Sequence, residues 1–205
     1  MKKEDYILII LNCEKYHIKA QQQLDTWLKN INIPYFHVIG KEDLTVPYLF
    51  GEHKLFVKTP DDYNSLPKKS IAAFEAVHLE YEYKYIFKTD DDQRLLDNNF
   101  FNKLIIDLNS SKDVHYGGRP IHISNHISQY FHVHNELPRN ILLKNTTYCN
   151  GRFYLLSNMA VNDLINKKLD IQNEYIEDYA IGYYLNPIYK LNIFNIDNDK
   201  FFVDN

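Results

Sequence analysis

Tyr85-Ile86-Phe87-Lys88-Thr89-Asp90-Asp91-Asp92 is the stretch from which the rest of the chain can be read. Residues 85–89 read as a strand, and the chain then runs straight into three consecutive carboxylates. Adjacent carboxylates repel one another, and a fold avoids this unless something positive sits among them. The carboxyl end of a buried strand is also where open α/β sheets place their ligands. Hard oxygen donors suit Mn²⁺ or Mg²⁺, which keep waters and bridge substrate phosphates. The competing reading is a solvated acidic turn whose charge Lys88 and Arg94 offset.

Strands and helices alternate on both sides of this segment. Residues 6–11 form a continuous apolar run ending at Asn12, the pattern of a strand buried on both faces. Residues 18–29 place Ile18, Leu24, Trp27 and Leu28 near one helical face. Residues 35–39 and 54–58 read as short strands separated by turn-rich sequence with Gly40, Pro47 and Gly51. Ser65 is the expected N-cap of a helix over 66–83, with Pro67 in its first turn. Asn98 or Asn99 caps a helix carrying Phe101, Leu104, Ile105 and Leu108. Residues 114–147 are mixed and Pro-punctuated, with five histidines. A strand over 148–156, helices over 158–168 and 177–185, and a last strand near Ile193, Phe194 and Ile196 complete the pattern. This alternation predicts a mainly parallel sheet flanked by helices, in one α/β domain over residues 1–205.

Composition narrows the function classes. The chain is 45% hydrophobic and 24% charged with 6 Gly and 7 Pro, which excludes collagen-like and disordered classes. A net charge of −4 argues against a nucleic-acid binder. No apolar run approaches the ~18 residues of a membrane span, and the six apolar residues from Tyr6 are too few for a signal peptide. Cys13 and Cys149 have no paired spacing, so reduced thiols and a cytoplasmic location are expected.

A second acidic site is Glu174-Tyr175-Ile176-Glu177-Asp178-Tyr179. A carboxylate at a helix start is held by backbone amides and can serve as a general base, or simply complement the helix dipole. His132 and His134 would share a strand face and could ligate zinc, but no carboxylate or cysteine joins them at usual spacing. An acceptor-side loop is the expected reading of that region.

Three blocks taken in order resemble the fringe and β-1,3-galactosyltransferase family. They are Phe87-Lys88-Thr89-Asp90-Asp91-Asp92, Tyr148-Cys149-Asn150-Gly151-Arg152-Phe153-Tyr154-Leu155-Leu156-Ser157 and Glu177-Asp178-Tyr179-Ala180-Ile181-Gly182. The family pattern runs K-T-D-D-D, Y-C-S-G-x-x-Y-V-L-S and E-D-V-x-x-G. Upstream, Asp62-Tyr63-Asn64-Ser65-Leu66 with Lys69 is similar to D-x-Y-x-N-L-T-x-K, and Gln23-Leu24-Asp25-Thr26-Trp27 to R-x-T-W. The resemblance implies a GT-A fold and inverting transfer of a sugar from a UDP-sugar to a glycan or glycoprotein acceptor, assisted by Mn²⁺ or Mg²⁺. It makes Asp92 the direct metal ligand. Asp90 and Asp91 would then serve ribose, donor sugar or metal waters, with Asp90 the second candidate ligand. Lys69 would hold the acidic cluster and the diphosphate, and Asn12 and Cys13 would contact the base. Asp178 would be the catalytic base, with Glu177 its competitor. Asn150 and Gly151 would border the sugar subsites, and Arg152 would reach donor or acceptor. The family's C-terminal metal-binding His has no counterpart after His134, so Asp197, Asp199, waters or a further segment would take its place. The absent membrane anchor and unpaired Cys149 set the chain apart from Golgi enzymes. Two other classes compete with this expectation: a non-catalytic carbohydrate-binding domain, and a D-x-D phosphoryl-transfer enzyme, which the Arg94 position fits badly.

Overall fold

The computed structural model describes all 205 residues, Met1–Asn205. Ten strands matter for the site: β1 (Tyr6–Leu11), β2 (Tyr35–Gly40), β3 (Tyr48–Gly51), β4 (Lys54–Val57), β5 (Tyr85–Asp90), β6 (Gln93–Leu95), β7 (Tyr116–Ile123), β8 (Thr146–Ser157), β9 (Phe194–Asn195) and β10 (Phe202–Asp204). The helices are α1 (His17–Asp25), α2 (Leu66–Glu80), α3 (Phe100–Ser110), α4 (Asn158–Ile165) and α5 (Glu177–Tyr184). Eight strands form one sheet in the order β9-β7-β8-β5-β1-β2-β4-β3, and β6 pairs separately with β10. Within the large sheet β5, β1, β2 and β4 are mutually parallel, as is the β9–β7 pair, whereas β8 runs antiparallel to both its neighbours. The expected α/β layering is therefore present, with β8 antiparallel inside the sheet and β3 antiparallel to β4 at its edge.

Every residue of β1 is buried, because helices cover both faces. Strand side chains alternate between faces. Ile7, Ile9 and Leu11 join a core against α2, α4 and α5, while Tyr6, Leu8 and Ile10 join a second core with Trp27 and the α3 residues Phe100, Phe101, Leu104 and Leu108. The continuous apolar run of the sequence is the sum of these two alternating sets.

Several boundaries differ from the sequence expectation, each for a local reason. Helix α1 ends at Asp25 rather than near residue 29, because the Thr26 hydroxyl donates to the Gln22 carbonyl at 2.6 Å and the chain turns to bury Trp27. Helix α2 ends at Glu80, since Tyr81 and Glu82 pair in parallel with Lys2 and Lys3. Ser65 precedes α2 without a side-chain cap bond; Asp62 accepts the Ser65 N–H at 2.9 Å instead. Two strands lie in segments read as irregular, β3 in the turn-rich stretch and β7 in the Pro-punctuated one. His132 and His134 are not on a strand. A 3-10 turn covers Tyr130–His132, and His132 lies against Phe131 while His134 stacks on Tyr63.

Candidate active site

A cavity of 670 Å³ opens where β1 and β5 end, bounded by the start of α2, the middle of β8 and the start of α5. Asp90, Asp91 and Asp92 enter it from one side and Glu177 and Asp178 from another. The acidic turn is fixed from below by the segment that resembles R-x-T-W. Gln23, fully buried in α1, donates to the carbonyls of Asp90 (3.0 Å) and Gln93 (2.8 Å), and the Trp27 indole N–H donates to Gln93 at 3.2 Å. The Asp91 N–H donates to the Leu11 carbonyl at 3.1 Å, which ties the turn to the end of β1.

The positive charge demanded by the three carboxylates comes from inside the strand itself. Lys88 is buried, and its ammonium lies 2.8 Å from Asp90 Oδ1, 3.1 Å from Glu177 Oε2 and 2.8 Å from the Gly151 carbonyl, over the Tyr154 ring. The Tyr154 hydroxyl donates to the other Glu177 oxygen at 2.5 Å. Burial alone would lower the Lys88 pKa; Asp90 and Glu177 more than reverse this and hold it protonated. Asp90 is pushed up to about 7 and Asp91 to about 6, in each case mainly by burial, against the opposing pull of Lys88 and Lys19 respectively. Asp90, expected as second metal ligand, thus has one oxygen engaged by Lys88, while Lys19 stands 3.5 Å from Asp91.

The donor set fits a hard divalent cation. It is all oxygen, the donor type that such ions prefer. No three acidic, histidine or cysteine side chains converge on one point.

Asp178 stands at the first turn of α5 with both oxygens oriented by backbone donors. Oδ2 accepts the Gly151 N–H and Oδ1 the Tyr179 N–H, each at 2.8 Å. Burial and the neighbouring Glu177 raise its pKa to about 6, against Lys88 and the two amides. Gly151 lets the two approach, since a Cβ there would sit 3.3 Å from Asp178 Oδ2 and the carboxylate would have to give slightly. Gly182, about one turn further on, lets α5 close onto β8, where a Cβ would lie 2.2 Å from that of Tyr148.

Asn150, Gly151 and Arg152 reach the cavity because the β8–β7 register breaks between Cys149 and Tyr154. Gly118 faces this bulge with φ +148°, a conformation that favours glycine. Asn150 turns its oxygen onto the Arg152 N–H at 3.0 Å. Arg152, expected to reach the donor or acceptor, lines the cavity with its guanidinium paired to Asp199 and Asp204, both at 2.9 Å. Asp199 also pairs with Arg119.

Lys69, expected to help hold the acidic cluster and the diphosphate, lines the cavity, and its buried ammonium bonds Asp61 (2.5 Å) and the Asn12 carbonyl (2.7 Å). Asn12 folds its side-chain oxygen onto the Cys13 N–H at 2.7 Å, and both residues line the cavity. Both cysteines are buried free thiols, and burial raises Cys13 and pushes Cys149 up to about 12.

Sequence reasoning missed Asp61, Gln93 and Asp204. Asp61 accepts from Lys69, from the Gly40 N–H and from the Glu14 N–H, making it the joint of three loops. Its only signal was adjacency to the Asp62-Tyr63 block. The Gln93 amide donates to Asp92 (2.8 Å) and Asp204 (2.9 Å), and β10 brings Asp204 to the cavity by pairing with β6. No spacing rule announces that long-range pairing.

A family model described as galactosyltransferase matches residues 25–196. No curated protein matches. Among solved structures, the bifunctional IspDF of Campylobacter jejuni aligns at 12% identity and TM-score 0.44, covering 96% of this chain and 49% of its own. This chain therefore spans about half of that relative. HddC of Yersinia pseudotuberculosis aligns at 12% identity and TM-score 0.41 over 98% of this chain and 93% of its own. Mouse xyloside xylosyltransferase 1 aligns at 12% identity and TM-score 0.40 over 95% and 85%.

Proposed function

The chain belongs to the galactosyltransferase family, and from that premise we propose that it transfers a sugar from a UDP-sugar to a carbohydrate hydroxyl with inversion. Asp178 carries the reading. It is a carboxylate with both oxygens aimed by backbone amides, in the same cavity as an acidic turn. A pKa of about 6 leaves it ionised near neutral pH yet basic enough to take a proton. Glu177 suits the role less, because Lys88 and Tyr154 already engage its two oxygens.

In this reading Asp178 removes the proton from the acceptor hydroxyl as that oxygen attacks the anomeric carbon. Asp92 would hold Mn²⁺ or Mg²⁺, with Asp91 and Asp90 directed to its waters or to the ribose and donor sugar. The cation would supply Lewis-acid stabilisation of the charge on the departing UDP. Lys88 keeps Asp90 and Glu177 in place from beneath, and the bulge at Asn150–Gly151 borders the donor sugar. Asn12 and Cys13 would contact the base.

Calorimetry with UDP, with and without Mn²⁺, tests the proposal. Metal-dependent binding that disappears in Asp92→Asn is the expected result, and binding of UDP that ignores the metal overturns it. NMR of the product supplies the stereochemistry: a product that keeps the donor's anomeric configuration removes the single displacement.

A further inference from the structure

We propose that Tyr63, His134 and Tyr130 form a stacked platform beside Asp178 on which a neutral pyranose acceptor lies. This rests on the glycosyl-transfer reading above and goes further, in naming the acceptor's chemistry and the side chains that select it.

The rings come from two distant segments. Tyr63 lies in the turn before α2, and Tyr130 and His134 lie between β7 and β8. His134 stacks on Tyr63 with centroids 3.9 Å apart and planes 15° apart, and Tyr130 stacks on His134 at 5.6 Å and 19°. Asn64 donates to the Glu136 carbonyl at 3.0 Å and locks the two segments together. All three rings line the cavity that holds Asp178, and Tyr130 stands half exposed at the outer end of the stack. A rigid aromatic surface suits the C–H face of a sugar ring, because it offers apolar area without ordering a flexible side chain.

The hydroxyls of Tyr63 and Tyr130 add polar recognition. Neither has a hydrogen-bond partner in the protein, and both are raised, mainly by burial and also by the charge of Asp178. Both residues line the cavity that holds Asp178, so their hydroxyls keep bonding capacity for a sugar. The charge around the platform is negative, from Glu136, Asp178 and Asp90. An anionic acceptor would be repelled there, and a neutral sugar would not.

Saturation-transfer NMR on the full chain with UDP and Mg²⁺ tests this, using methyl β-D-galactopyranoside, methyl β-D-glucuronide and N-acetylserine amide as probes. Calorimetry of UDP runs in parallel on each variant. The expected result is saturation of the ring C–H protons of the neutral pyranoside, in preference to the other two probes. Tyr130→Ala and His134→Ala should each weaken its binding about fivefold, the loss of one stacked ring, whereas Tyr130→Phe keeps most of it. UDP affinity should stay at the parent value throughout. A pyranoside signal that is absent, that survives both alanine variants, or that the glucuronide or serine probe equals overturns the platform. Failure of UDP to bind the parent counts against the glycosyl-transfer reading instead, and the pyranoside result then stands on its own.

Discussion

Lys69 and Lys88 are equally buried, each about 1% exposed, yet they sit in opposite electrostatic situations. Lys69 has one carboxylate partner, Asp61, which also takes two backbone N–H bonds. Charge is balanced there, and the assembly clamps the end of β1 to the start of α2. Lys88 faces Asp90 and Glu177 at contact distance, and feels Asp178 as well. Carboxylates outnumber the ammonium on that side, and Asp90 and Asp178 are raised, chiefly by burial and secondarily by the charge of Glu177. The difference separates scaffold from chemistry. A balanced ion pair fastens loops, while an anionic surplus stores affinity for a cation and a proton.

The largest expected effect lies on the anionic side. Asp178→Asn should lower turnover about 10²–10⁴-fold, the usual worth of a general base, with UDP affinity unchanged by calorimetry. In the parent, turnover should fall about tenfold from pH 7 to pH 5, because Asp178 titrates at about 6 and only its ionised form accepts a proton. A flat pH profile across that range would assign the proton to another group.

Lys88→Met should come next. It strips the ammonium from two carboxylates, one of them buried, and should cost about 3–5 kcal/mol in urea unfolding. Lys69→Met should cost less, about 1–3 kcal/mol, since Asp61 keeps its backbone donors and is partly solvated. Equal losses for the two variants would erase the distinction drawn above. The smallest effect belongs to Arg152→Gln, which removes pairs with exposed Asp199 and Asp204. About 0.2–1 kcal/mol is expected, shrinking at high salt.

Much of the architecture was legible in local sequence. Residues 6–11 and 85–89 read as strands because their apolar runs suit a strand buried on both faces; of the buried polar residues in the second, Lys88 pairs with Asp90 and Glu177, and Thr89 donates to the Arg152 carbonyl. The Gln23–Trp27 block was recognisable as a motif, but its work of holding the carbonyls of Asp90 and Gln93 was not. The choice between Glu177 and Asp178 was equally hidden, because adjacent carboxylates at a helix start look alike until a partner is seen for each.

What the sequence determined by itself is the set of local statements: which segments alternate, where three carboxylates follow a strand, where glycines fall, and the family pattern carried by their order. Those depend on residues close together in the chain. Only the tertiary structure decided that Lys88 meets Glu177, that Lys69 serves Asp61, that Arg152 turns to the C-terminal segment, and that Tyr63 stacks with His134. Each of these joins residues whose separation in sequence carries no periodic signal. Their pairing follows from burial, since a charge or ring taken out of water must find its partner wherever the packed elements bring one within reach.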